Sequence, residues 1–247
     1  MSDSLFALAI IGQKGGPGKT SLGLNLAVAA AEQGLTSVII DLDQQATAAN
    51  WKERRDNLKR PTFQNPAVTF SPPSRLRQTL EAAEQYAADF VIIDSPGKAD
   101  NIAIIAATYA DIVLVPMEPR MSNLETIPGV YGLLQAVDLK LRKERGLPNQ
   151  TPPAFVVLNK MHPSATRQAD KIKRMVADAY PQISVCPHHL TQLDIYGTSQ
   201  DIGKSVFDDD PHDRAAEEIR QLYKFTISQT HKLELRHVEN RKSAKRA

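Results

Sequence analysis

The sequence predicts an α/β fold, a doubly wound and mostly parallel sheet flanked by helices. The apolar runs are short and continuous rather than alternating, the pattern of strands buried on both faces. Segments with helical spacing separate them, as right-handed crossovers between parallel strands require. The 247 residues are 42% apolar and 23% charged, ordinary values for a chain long enough to bury a sizeable core.

Taken in order, Leu5–Ile11 reads as the first strand. A helix follows over Thr20–Gln33, with Leu22, Leu26, Ala29 and Ala30 along it and Gly34 placed to end it. Ser37–Leu42 is a second strand, and Ala46–Leu58 a helix carrying Trp51, for which packing is the default role. Pro61–Pro73 holds four prolines and reads as an extended loop enclosing a short strand at Val68–Phe70. Leu76, Leu80, Ala83 and Ala87 mark a helix over Arg75–Ala87, followed by strands at Phe90–Asp94 and Ile112–Pro116. Leu133, Leu134, Val137 and Leu141 predict one helix over Ser122–Arg145. Phe155–Asn159 is the last strand, with helices over Ala165–Tyr180 and Asp213–Thr230. No internal repeat and no boundary divides residues 1–231, which read as one domain; residues 232–247 read as a polar, basic tail.

Several classes are excluded. No apolar run reaches the ~20 residues that span a bilayer, and Met1–Ser4 lacks the features of a secretory signal. Cys186 is the only cysteine, so an internal disulfide is impossible, and a reducing compartment is expected. His162, His188 and His189 lack the spacing of a metal site on one helical face. The net charge of +2 conceals an asymmetry: the tail holds six basic and two acidic residues, a net +4, leaving the body near −2. Basic residues also gather at Lys52, Arg54, Arg55, Lys59 and Arg60, along Arg167, Lys171, Lys173 and Arg174, and at Lys204.

The strongest motif is Lys14-Gly15-Gly16-Pro17-Gly18-Lys19-Thr20-Ser21, between the first strand and the first helix. Glycines let successive backbone N–H groups converge on phosphate oxygens, and the helix start adds its positive dipole end. Lys19 supplies a cation to the β- and γ-phosphates and Thr20 a hydroxyl to Mg²⁺. Residue 13 is Gln where the ordinary pattern has its first glycine, so the match is to K-G-G-x-G-K-[ST]. Strand ends supply carboxylates: Asp41 and Asp43 in Val38-Ile39-Ile40-Asp41-Leu42-Asp43-Gln44, and Asp94 in Phe90-Val91-Ile92-Ile93-Asp94-Ser95-Pro96-Gly97. Carboxylates and waters suit Mg²⁺.

With this loop the chain resembles the ParA/MinD family of deviant Walker A P-loop ATPases. Residues about Leu5 to Phe225 carry the likeness, which is nearest to the small ParF-like plasmid partition proteins. The resemblance implies a P-loop NTPase fold, ATP and Mg²⁺ as cofactors, and ATP hydrolysis. It implies that Lys14 crosses to the nucleotide of a partner subunit in an ATP-sandwich homodimer, that Asp43 activates or orients the attacking water, that Asp94 holds Mg²⁺ through a water, and that Asp41 sits near the Mg²⁺ shell. Gly15, Gly16, Pro17, Gly18, Lys19, Thr20 and Ser21 then hold the nucleotide, with Asn159 beside the adenine. Gln44 stands where the family's D-x-D-P-Q box has Pro. The implied partners are non-specific DNA and a small centromere-binding, ParB-like protein, with a cytoplasmic, nucleoid-associated location. A MinD-like membrane helix is not expected, since Leu233, Leu235 and Val238 are the only sizeable apolar residues of the tail. The alternatives are the same cycle positioning another cargo, such as a carboxysome, chemoreceptor cluster or transfer DNA, or a metabolic P-loop ligase.

Overall fold

A computed structural model describes residues 5–13, 16, 18–58, 66–97 and 99–229. Seven strands form one sheet: β1 (Phe6–Ile10), β2 (Ser37–Asp41), β3 (Ala67–Phe70), β4 (Phe90–Asp94), β5 (Ile112–Met117), β6 (Ala154–Leu158) and β7 (Ile183–Val185). Their order is β3-β2-β4-β1-β5-β6-β7, and every pairing is parallel. The expected doubly wound sheet is therefore present, with β1 near its centre.

The helices are α1 (Lys19–Glu32), α2 (Thr47–Asp56), α3 (Leu76–Gln85), α4 (Asp100–Tyr109), α5 (Met121–Leu124), α6 (Ile127–Gln135), α7 (Leu139–Glu144), α8 (Thr166–Ala179), α9 (Ile195–Asp201) and α10 (Arg214–Ser228). Side chains of β1 alternate between two apolar layers. Ala7 and Ala9 join one with α3, α4, α6 and α8; Phe6, Leu8 and Ile10 join the other with α1, α2 and α10. Both layers are closed to water, which is why the strands read as continuous apolar runs.

The single helix expected over Ser122–Arg145 is three short ones. Pro128 sits in the first turn of α6, where its missing N–H costs nothing, but it cannot continue a preceding helix. Asp138 then caps α7, its carboxylate accepting from the Leu141 N–H at 2.9 Å.

Register sets the site. Asp41 and Asp94 are direct partners at the carboxyl ends of β2 and β4, and Asp94 is also level with Ile10 of β1. On the other side, Met117 and Leu158 are partners, so the residues that follow them meet the turn leaving β1.

A second set of contacts fixes α2. The Trp51 indole N–H donates to the Lys204 carbonyl at 2.8 Å. The Arg55 guanidinium and Asp208 carboxylate meet at 2.9 Å, their side chains only 1% and 3% exposed. Gly203 lies so close that a Cβ there would fall 2.5 Å from the Arg55 backbone nitrogen. Arg55 is thereby withdrawn from the basic surface cluster in which its sequence neighbourhood places it, and Lys204 is paired with Asp209.

Candidate active site

The glycine-rich turn leaves β1 and feeds directly into α1. Gly16 and Gly18 have φ of +89° and +84°, the left-handed region closed to most side chains. At Gly18 a Cβ would also lie 2.6 Å from the Asn159 amide nitrogen, so a side chain there would have to displace that amide. Lys14, Gly15 and Pro17 lie outside the described residues, and so does the tail 232–247.

Lys19 opens α1 and is only 8% exposed. Burial pulls its ammonium below the ordinary lysine range, opposed by the charges of Asp94 and Asp43. Next to it, the Thr20 hydroxyl donates to Asp94 Oδ2 at 2.6 Å. Asp94 is 2% exposed, and its other oxygen, Oδ1, is buried with no hydrogen-bond partner. Burial pushes this carboxyl up to about 7, with the Thr20 bond acting against that shift and the charge of Asp41 adding to it. A buried carboxylate oxygen without a donor, beside a hydroxyl, is the donor set a hard cation such as Mg²⁺ completes. Thr20 and Asp94 therefore fit the metal that the sequence implies.

Asp41 is arranged differently. Its Oδ1 accepts from the Asp43 N–H at 2.9 Å and its Oδ2 from the Ala48 N–H at 3.1 Å. The carboxylate thus shapes the Asp43 turn and satisfies the start of α2, while burial raises its pKa. Asp43 accepts from the Gln45 N–H at 3.0 Å, closing a turn that stands near Lys19. The Ser95 hydroxyl donates to the Ile10 carbonyl at 2.9 Å, tying the end of β4 to β1.

A cleft of about 390 Å³ opens beside the turn, lined by residues that include Gly16, Gly18, Ser21, Asn159, Thr191 and Tyr196. Asn159 lines it and is 7% exposed, and its Oδ1 accepts from the Lys160 N–H at 2.8 Å. The Ser21 hydroxyl donates to the Tyr196 carbonyl at 3.1 Å. Of the sequence-predicted residues that are described, Gly16, Gly18, Ser21 and Asn159 line this cleft, whereas Thr20, Asp94, Asp41 and Asp43 gather around Lys19.

Lys160 and Glu118 escaped sequence reasoning. The Lys160 ammonium donates to the Gly16 carbonyl at 2.8 Å and to Glu118 Oε1 at 3.1 Å. Lys160 has φ +54°, a strained conformation for a side-chain-bearing residue, held so that a strand-end lysine grips the turn. The Asn-Lys pair ending β6 was the available signal, but nothing local reveals a partner 144 residues away. The histidines have other company: His162 Nδ1 meets the Ser164 hydroxyl and His188 packs against Phe225.

A parallel sheet whose central strand feeds a left-handed glycine turn, a buried lysine and a hydroxyl–carboxylate pair defines a P-loop nucleotide-binding protein. Residues 8–189 match the CobQ/CobB/MinD/ParA nucleotide binding domain, and the chain belongs to that family. It is 29% identical over 167 residues to the sporulation initiation inhibitor protein Soj of Bacillus subtilis, covering 53% of this chain and 64% of Soj. It is 26% identical over 170 residues to the maintenance of carboxysome distribution protein A of Halothiobacillus neapolitanus, covering 67% of this chain and 76% of that protein. An ATP complex of a Cyanothece McdA variant superposes with a TM-score of 0.68 at 16% identity, over 91% of this chain and 97% of the other; that likeness shows the fold. Against Soj and two Thermus thermophilus partition proteins the chain spans 64%, 47% and 61% of the relative's length, about half to two thirds. Among the described residues no helix is long and apolar enough to cross a membrane.

Proposed function

We propose that this chain is an ATP-hydrolysing switch of the ParA type. In this reading residues 1–231 form the ATPase domain and 232–247 a basic tail. ATP binding brings two copies face to face with Lys14 crossing to the partner's nucleotide. The dimer holds DNA without sequence preference, and a small centromere-binding partner stimulates hydrolysis in plasmid or chromosome segregation. The observation that carries the reading is the buried Thr20–Asp94 pair, with its orphaned carboxylate oxygen, against Lys19 and the Asp43 turn.

That geometry supports a division of roles. The turn's N–H groups and Lys19 receive the phosphates, and the buried ammonium gains most when a polyanion displaces water from it. Thr20 and Asp94 would hold Mg²⁺, with Asp41 fixing the adjoining turn; bound there, the ion would supply charge neutralisation to a polyphosphate. Asp43 would orient or activate the attacking water. Asn159 offers a planar amide to a base edge in the adjoining cleft. Arg167, Lys171 and Arg174, all exposed, recur at i, i+4 and i+7 along α8 and form the phosphate-contacting face.

The test is hydrolysis and DNA binding measured together. Lys19→Ala and Asp43→Ala should each lower ATP hydrolysis by about a hundredfold or more. Asp43→Ala should still elute as a dimer with ATP. DNA affinity should need ATP and fall steeply with salt, with a shallower slope in the Arg167→Ala/Lys171→Ala protein. Wild-type hydrolysis by Lys19→Ala overturns the mechanism; DNA binding indifferent to nucleotide overturns the switch. The likeness to a carboxysome distribution protein favours a second reading, the same cycle positioning another cargo. The protein that stimulates hydrolysis distinguishes the two.

A further inference from the structure

One wall of the 390 Å³ cleft is lined by the segment from Leu190 to Tyr196. It lies beyond the residues matched to the family, 8–189. It contains no helix or strand before α9, only an isolated bridge between Thr191 and Met161. One carboxylate behind the wall holds it. Glu218, on α10, accepts from the Thr191 N–H at 2.8 Å, the Thr191 hydroxyl at 2.6 Å, the Tyr196 hydroxyl at 3.2 Å and Arg214 Nε at 2.9 Å. Arg214 also donates to the Thr191 hydroxyl at 2.6 Å. Tyr196 returns the connection to the turn, because its carbonyl accepts from Ser21, the residue after Thr20. Burial, and then the charge of Glu218, raise the Tyr196 phenol pKa, so this hydroxyl stays a donor at every working pH. Glu218 does not line the cleft, so its influence passes through Thr191 and Tyr196.

We infer that Glu218 is the positioning residue for the base-side wall of the nucleotide cleft: its four hydrogen bonds set how tightly the chain holds the purine end of a nucleotide, independently of the polyphosphate end. This rests on the nucleotide reading of the cleft given above. Such a wall holds a flat, apolar-faced base only if the segment is pre-ordered; loosening it transfers the ordering cost to binding.

The experiment compares affinities of the full chain for ATP and for inorganic triphosphate, both with magnesium, by competition against a fluorescent nucleotide. Glu218→Ala should weaken ATP about tenfold or more, the loss expected when charge-assisted hydrogen bonds are removed, and leave triphosphate within about twofold. Glu218→Gln keeps the shape but only one of the two acceptor oxygens and sets its NH2 against donors, so it should recover only a small part of the loss. Tyr196→Phe and Thr191→Val should each cost ATP affinity about threefold, and they carry the test if Glu218→Ala does not fold. ATP affinity unchanged in these variants overturns the inference. So does a parallel fall for ATP and triphosphate, which marks a general structural defect. A wild-type chain that binds ATP no better than triphosphate overturns instead the placing of the base in this cleft.

Discussion

Replacing Asp94 with Asn should stabilise the metal-free protein at pH 8 while removing magnesium-dependent hydrolysis. The carboxyl is buried and its pKa is raised to about 7, against about 3.9 in an unfolded chain. Below pH 4 it is protonated in both states and contributes nothing. Between pH 4 and 7 the unfolded chain gives up the proton while the folded one keeps it, so stability falls as pH rises; above 7 the penalty is constant. The amide mimics the protonated form and escapes the penalty. The stability gain of Asp94→Asn should therefore grow by about 3 kcal/mol between pH 5 and pH 8, read by urea unfolding without divalent ions. ATP hydrolysis should drop by about a hundredfold or more. A variant less stable than wild type at pH 8 contradicts the reading that burial outweighs the Thr20 bond and the Lys19 charge at Asp94.

The Arg55–Asp208 pair behaves in the opposite sense. Both side chains are almost wholly buried, and removing one partner strands the other away from water. Asp208→Ala or Arg55→Ala should each cost about 3–5 kcal/mol, whereas Arg55→Met with Asp208→Leu should recover most of it. Trp51, the only tryptophan, reports the change directly. Its indole N–H is bonded to Lys204 and the Arg55 guanidinium lies 5.1 Å from its ring, so fluorescence emission should shift red in either single variant before global unfolding. Unaltered emission with full stability in both would refute the clamp. Because α2 starts at the turn that carries Asp43, the same variants should lower hydrolysis more than they lower nucleotide affinity.

The five long strands were legible because they are buried on both faces, leaving uninterrupted Val, Ile, Leu and Phe. β7 was not: Ile183, Ser184 and Val185 form three residues at a sheet edge, too few to carry a period. α4 escaped for the same reason that the strands were found. Asn101-Ile102-Ala103-Ile104-Ile105-Ala106 is nearly uniformly apolar and offers no polar face to mark a helical repeat. The break of Ser122–Arg145 was written in Pro128 and Asp138, which the spacing of leucines overrode. In the site, the loop glycines, Lys19, Thr20 and Asp94 follow from a contiguous motif and one strand end. Glu118, Lys160, Tyr196 and Glu218 do not, because each works through a partner far along the chain, and a lone sequence carries no trace of pairing at a distance.

The place of β1 in the middle of the sheet governs when the nucleotide turn can exist at all. β1 is made before the other six described strands but pairs with β4 and β5, so it waits for residue 94 and then residue 117. The Lys160 grip on Gly16 arrives later still. At ribosomal speeds of ~5–20 residues per second, many seconds separate the making of the turn from its final shape. A nascent chain therefore holds β1 with no partner strand until β4 is made, while nucleotide can assist folding only once Asn159 and Lys160 have joined the turn. Chains stalled before residue 160 should be protease-sensitive and blind to ATP, and the slowest folding step should be the assembly of these distant neighbours.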